Sequence, residues 1–210
     1  MALKITTPPA DDALVVSVEE FREQSGQDGI SADDKLVQRL IRAVTSWLAG
    51  PQGWLGRSLV EQTLTLTVPL GVAEYYPGDR DGVPDPGLYG LILPRPPFIA
   101  VETVAILDAA GTASIIAPTG YTTTDQADGL TRLTFTTDFR APLLTAGAAS
   151  LRVVYRAGYG GPEDVDPAIR HAVLMAVMRL YAGRGDPTIS LQSDPMMADL
   201  FAPFRVWTTA

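Results

Sequence analysis

The sequence predicts an α+β protein: a helical body formed by N- and C-terminal helices, with an antiparallel β portion inserted between them. Three observations predict it. Between Ser17 and Ala49 the chain carries helix-start signals, with apolar residues three and four apart. From Thr63 the apolar period changes to two, and short runs of this kind follow one another, separated by turn residues. Near Asp166 the helical spacing returns. Short strands separated by tight turns favour antiparallel pairing, and the segregation of helices to the two ends gives the class.

Each element follows from local chemistry. Ser17-Val18-Glu19-Glu20 has the form of a capping box, in which the serine oxygen accepts a backbone N–H and the acid three residues on reaches back. A short helix then runs to about Gln24 and stops at Gly26. Ser31-Ala32-Asp33-Asp34 is a weaker copy of the same signal, and the helix it opens runs to about Ala49. Leu36, Leu40, Val44 and Trp47, with Leu48, give that helix an apolar stripe, and Gly50-Pro51 stops it. Thr63, Thr65 and Thr67 alternate with Leu64, Leu66 and Val68, the pattern of a half-buried strand. Further strands are predicted at Leu88–Leu93, Val101–Leu107, Gly120–Thr124, Leu130–Thr136 and Ser150–Arg156. Pro94, Pro96 and Pro97 place a rigid bend before one of them. The glycine-, proline- and acid-rich stretch Gly71–Gly87 reads as a long surface loop.

Asp166 is a good N-cap, and Pro167 suits the first helical position, where its missing N–H costs nothing. The helix runs to about Ala182. Ile169, Val173, Ala176, Val177 and Leu180 form one apolar stripe; Leu174, Met178 and Tyr181 form a second. A helix this apolar is covered on more than one side. It either sits centrally in its own domain or lies against a neighbouring subunit.

Composition bounds the function. The chain has 210 residues, 46% of them hydrophobic and 19% charged, which suits a folded domain with a real core. With no cysteine there is neither a disulfide framework nor a thiolate metal site. Met1–Asp12 does not read as a signal peptide, and no apolar run is long enough to span a bilayer, so a soluble, cytoplasmically made protein is expected. The net charge of −8 argues against tight duplex binding, which needs clustered cations.

The candidate chemical sites fail on inspection. Gly158-Tyr159-Gly160-Gly161-Pro162 lies between a strand and a helix, the order of a phosphate loop. It lacks the lysine and hydroxyl of a P-loop, and Glu163 stands where a dinucleotide turn requires its third glycine. Glu163, Asp164 and Asp166 favour the helix dipole but repel phosphate. A structural turn is the better reading. His171 is the only histidine, with no G-x-S-x-G elbow and no second histidine to form a metal pair. Asp79, Asp81 and Asp85 match a calcium loop poorly: prolines intervene, and Gly90 stands at the closing position instead of glutamate. No catalytic, cofactor-binding or metal-binding residue is assigned, and no enzyme activity is expected.

The C-terminal segment is different. Asp194-Pro195 starts a short helix, after which Met196, Met197, Leu200, Phe201, Phe204, Val206 and Trp207 crowd into the end of the chain. Tails are usually polar and frayed. This one either packs on its own domain or docks on a partner, since aromatics, methionine and arginine are enriched at interfaces.

The order of these segments resembles the head–tail connector (adaptor) proteins of long-tailed bacteriophages and of gene transfer agents. The stretch from "VSVEEFREQSG" through "WLAGPQGWLGRSLVEQTLTLTV" is similar to their N-terminal helices, tryptophan-bearing turn and first strand. "LILPRPPFIAVETVAILDAAGT" resembles their proline step and valine-rich strand, and "GYTTTDQADGLTRLTF" their next hairpin. "LRVVYRAGYGGPEDVDPAIRHAVLMAVMRLYAGRGD" resembles their return strand, glycine turn and long helix. The likeness covers about residues 15–186, and the order of the motifs is more specific than any one of them.

The resemblance implies a structural role: a ring, typically dodecameric, beneath the portal protein. Such a ring extends the DNA channel and carries the next connector (stopper) or the tail, at the head–tail junction of a particle assembled in the bacterial cytoplasm. It implies no cofactor, no membrane and no specific DNA binding. The domains implied are 1–56, N-terminal helices; 57–157, inserted β-rich portion; 158–192, long C-terminal helix; and 193–210, docking tail. Leu36, Leu40, Val44, Trp47, Ile169, Val173, Val177 and Leu180 become helical-body or ring core. Leu200, Phe201, Phe204, Arg205 and Trp207 become candidates for docking on the portal. The β portion and the Gly71–Gly87 loop are larger than in minimal, all-helical connectors. Two alternatives stay open: another virion joining protein such as a tail-completion factor, and a small-ligand enzyme using the glycine turn.

Overall fold

The structure, a computed structural model, describes residues 1–26, 33–50, 52–70, 90–126, 129–136, 148–184, 186 and 189–206. Ser31, Pro51, the Gly71–Gly87 loop with Asp79, Asp81 and Asp85, and Trp207 lie outside them. Among the described residues the fold is mixed α+β, with four α-helices, two antiparallel sheets, and helices on both sides of the β portion in sequence. The chain forms two compact units: Met1–Pro8 with Gln62–Ala157, and Pro9–Glu61 with Gly158–Thr209. Neither unit is one continuous stretch of chain.

In the β unit the strands are β1 (Ala2–Thr7), β2 (Gln62–Pro69), β3 (Leu91–Leu93), β4 (Phe98–Asp108), β5 (Ala113–Ile116), β6 (Tyr121–Asp125), β7 (Thr131–Phe135) and β8 (Ala148–Ala157). One sheet has the order β1-β2-β8-β4-β5 and the other β3-β7-β6. Alternation puts every second residue on one face. Leu3, Leu66, Val153, Val104 and Ile116 are successive cross-strand partners, so their row faces one side of the larger sheet. Leu93, Leu133 and Phe135 of the smaller sheet join that row in a single core.

Two strands depart from the expected set. β1 has only Leu3 and Ile5 turned inward, and β5 buries only Ile116, so neither is long enough to show a period. The run expected from Leu88 is, among described residues, a strand from Leu91 to Leu93. Residues 1–8 therefore lie with the β unit and not with the N-terminal helices.

The proline step is tied to β8. Arg95 takes a left-handed φ of 65°, and the Pro96–Pro97 bond is cis. The Tyr155 hydroxyl, at the centre of the core, donates to the Pro94 carbonyl at 2.6 Å. Burial pushes the phenol's pKa up against the opposing pull of Arg95, so the hydroxyl stays protonated and remains a donor.

The helical unit holds α1 (Val18–Ser25), α2 (Asp34–Ala49), α3 (Pro167–Ala182) and α4 (Pro195–Phe201). α1 has the full capping box, with both Ser17 and Glu20 in place, and ends at Gly26 in the left-handed region. α2 begins differently from the expectation. Its N-cap is Asp33, whose carboxylate makes no capping bond. That carboxylate instead accepts from the Tyr181 hydroxyl at 2.5 Å and from Arg184 at 2.8 Å. α3 starts at Pro167, with the Asp166 side chain accepting from Ala168 N–H.

The buried face of α2 consists of Val37, Ile41, Val44 and Leu48. This corrects the expected stripe: Leu40 and Trp47 are partly buried at its margin, and Leu36 is half-exposed outside the core. A shift of one residue turns a helix by about 100°, which separates Leu36 from Val37. On α3, Ile169, Val173 and Val177 are fully buried, Leu180 is partly buried, and Leu174 is buried on the flank. α3 is thus covered on more than one side within its own unit.

Candidate interaction surface

The C-terminal segment is built onto the helical unit by a helix and a strap. Asp194 accepts from Met196 N–H at 3.0 Å, and Pro195 opens α4. Met197 and Phe201 fall four residues apart, on one face, and both are fully buried. Phe201 stands edge-on to Trp47 and Trp54, with centroids 6.2 Å and 6.3 Å away. The two indoles are themselves stacked at 5.7 Å. Trp54 is placed by the chain doubling back on the end of α2: its N–H reaches the Trp47 carbonyl at 3.0 Å, and Leu55 N–H reaches that of Leu48 at 3.0 Å.

Beyond α4 the strap is held through its own main chain, by one side-chain donor and one backbone bond. Arg57 Nε donates to the Phe204 carbonyl at 2.6 Å, while its terminal nitrogen donates to the Tyr159 hydroxyl at 2.6 Å. Val206 N–H donates to the Leu55 carbonyl at 2.8 Å. Gly56 has φ of 67°, and a Cβ there would run into the Val206 carbonyl, so the strap needs glycine at this point. The Arg205 guanidinium lies over the Trp54 ring, 4.7 Å from its centroid.

The expected docking residues therefore divide. Phe201 is a core residue of its own unit, whereas Leu200, Phe204 and Arg205 are half-exposed. Of the two readings of the tail, packing on its own domain holds for Met197 and Phe201. The groove that receives Phe201 and the strap, Trp54, Leu55, Gly56 and Arg57, was not singled out as a site from the sequence. Its only sequence signal is a tryptophan and an arginine flanking a glycine just after a helix stop.

The glycine turn acts as a structural junction. Tyr159 N–H donates to Leu59 O at 3.0 Å, and Glu61 N–H to Gly160 O at 2.9 Å. Asp164 Oδ2 accepts from Gly161 N–H at 2.8 Å, so the protein's own carboxylate takes the kind of donor a phosphate would need. His171 is exposed on α3. Among the described residues no cluster of histidine, aspartate and glutamate is arranged to hold a metal. An open depression of about 360 Å³ is lined by Arg179, Ser190, Ser193 and Asp194, but Arg179 already pairs with Asp194 at 3.2 Å. Among the described residues no helix is long and apolar enough to cross a membrane.

The three longer helices are also joined by charge. Arg170 pairs with Glu20 at 2.5 Å, Arg22 pairs with Asp34, and Arg184 lies over the Tyr181 ring at 4.4 Å while bonded to Asp33. Partial burial opposes ionisation of Glu20, but the Ser17 N–H and Arg170 outweigh it and hold its pKa below the ordinary value. Tyr181 and then Arg184 lower that of Asp33. Both carboxylates thus bind protons less readily folded than unfolded. The stability they add is fully present above the unfolded-state pKa and is lost as pH falls through the folded value. Urea midpoints of the protein should accordingly fall between about pH 5 and about pH 3, with the Glu20→Gln variant showing a flatter acid limb. An identical acid limb in that variant would remove Glu20 from the account.

No protein-family model matches the chain, and no curated protein matches it. Solved structures do. A chain of the virion of a native gene transfer agent (GTA) particle is similar at TM-score 0.73 and 19% identity, over 100% of this chain and 98% of that one. A chain in the neck of an empty GTA particle, computed with C6 symmetry, is similar at TM-score 0.69 and 17% identity, with the same coverage. A chain in the neck of a native GTA particle, computed with C12 symmetry, gives 0.68 and 18%, again over 100% and 98%. The arrangement of helices and sheets described above is therefore a fold found in such particles, shared from end to end.

Proposed function

We propose that this chain is a structural component of the neck of a GTA-like or phage-like particle, and within the neck the subunit of the adaptor ring between portal and tail. The observation that supports this reading most is end-to-end coverage: the similar neck chains match all of this chain, with almost none of theirs left over. A catalytic role has no support from the turn, where Asp164 occupies the Gly161 N–H, nor from the exposed His171. The chain's charge of −8 suits a channel wall along which DNA slides without sticking. In this reading the helices form the ring body. The C-terminal segment offers Leu200, Phe204, Arg205 and Trp207 to the portal, with Phe201 as its buried anchor.

Deletion of the gene should yield DNA-filled heads without tails, beside free tails, in electron micrographs. Tailed particles of normal appearance would overturn the proposal. The purified protein mixed with portal should form a ring of about twelve subunits on it. Capture of tail protein and not portal would favour the alternative, a tail-completion factor.

A further inference from the structure

A sheet edge presents unpaired main-chain N–H and C=O groups, and soluble proteins blunt it with charge, proline or a covering element. The five-stranded sheet ends in β1 and β5, and among the described residues neither has a second ladder partner. β5 reads Ala-Ser-Ile-Ile, with no charge and no proline. Ile115 on it is 75% exposed, against 53% for Met1 and 49% for Met196, the other large apolar side chains left in solvent among the described residues. A lone exposed apolar residue is ordinary. A β-branched one on an uncharged, unprotected edge is the surface on which another strand pairs.

The opposite edge fits it. Ile115, Ala105, Arg152, Thr67 and Ala2 are successive cross-strand partners, so Ile115 and Ala2 end one row on the same face of the sheet. Lys4 lies on that face as well, two residues on. Every neighbouring pair in the sheet is antiparallel, so the first and the fifth strand run in the same direction. A second copy set edge to edge therefore continues the sheet, with β5 of one copy beside β1 of the next as a parallel pair. Ile115 then packs on Ala2 and on the methylene stem of Lys4. Such a contact uses two different patches, and repeated contacts of that kind close into a ring when the rotation between copies divides a full turn, as the neck-ring reading requires, and run on as a filament when it does not. A two-fold β5–β5 contact would stop at a dimer.

Building on the neck-ring reading, we infer that the two edges of this sheet join copies of the chain head to tail, β5 of each subunit adding to β1 of its neighbour. The chain has no cysteine, so introduced thiols report only on the positions chosen. Rings isolated from particles carrying Ile115→Cys with Ala2→Cys, or Ile115→Cys with Lys4→Cys, are treated with a short thiol-reactive cross-linker. A ladder of covalent oligomers is expected in at least one double variant and in no single variant. Dimers from Ile115→Cys alone would overturn the inference in favour of a two-fold contact. Intact rings with no ladder would overturn it while leaving the neck reading in place. Tailed particles from the gene deletion would remove both. Independently, Ile115→Lys should leave helicity and the melting temperature unchanged, because the side chain is already in solvent, and should lower ring yield about tenfold or more. Unchanged ring yield counts against the inference.

Discussion

Replacing Phe201 by alanine should lower the stability of the helical unit by roughly 3–5 kcal/mol. The residue is fully buried and is the ring on which Trp47 and Trp54 both rest edge-on. Its removal empties an aromatic site that neighbours on two other segments cannot refill without moving, so the transfer loss and the cavity loss add. Leu200, one residue earlier and half-exposed, should cost less than about 1 kcal/mol when truncated in the same way. Urea unfolding followed by tryptophan fluorescence measures both. A Phe201→Ala loss below about 1 kcal/mol would mean that α4 is not part of the folded core. The same variant bears on the proposed docking of the tail. If Phe201 anchors the segment presented to the portal, portal binding should weaken even though Phe201 itself never reaches the portal.

Gly158→Ala should be nearly as damaging. Gly158 has φ of 134°, a region open in practice to glycine alone, and an added Cβ would lie 2.5 Å from the Val60 carbonyl oxygen and 2.6 Å from its carbon. Both obstacles are backbone, so the chain itself has to shift. Strain of about 1–3 kcal/mol and overpacking of about 1–3 kcal/mol together predict a loss of roughly 2–6 kcal/mol. Gly160→Ala should cost less: φ there is 116°, but its Cβ meets the tip of the Asp164 side chain, which can swing away. Gly161, at φ −71°, should tolerate alanine best. Melting temperatures of the three variants test the ranking, and equal losses at all three would refute the backbone-clash explanation.

These two sites mark how far the sequence could be read. Capping chemistry is local, and the Ser17–Glu20 box, Asp166-Pro167 and Asp194-Pro195 each start a helix where the residues demand it. Long strands with a sustained period of two were equally legible. β1 and β5 were not, because two inward residues or one do not make a period. α2 carries apolar residues over a wide arc that includes Leu36, Val37, Leu40, Ile41, Val44, Trp47 and Leu48. Its sequence shows a wide apolar arc but not which part of it is buried. Tertiary context decides that, by presenting α3 and α4. Asp33 gives the same lesson: its type suits a cap, yet Tyr181 and Arg184 claim its carboxylate from 148 and 151 positions away. The apolar tail was visible in the sequence as well. Its receiving groove was not, since Arg57 and Phe204 meet only across 147 positions.

Those long spans have a bearing on synthesis. A ribosome makes β1 before the other strands and completes β8 at Ala157, so β1 to β8 are available while the second half of the helical unit has yet to be translated. α1 and α2 emerge before the inserted portion but meet α3 only after it has passed, and the groove beside Trp54 stays open until Phe201 is made. Contacts so distant in sequence carry a high loop-closure cost and form late. The helical unit is therefore finished after the β unit, and a chain cut short before α4 leaves the ribosome with β1 to β8 made and a helical core still lacking its closing piece.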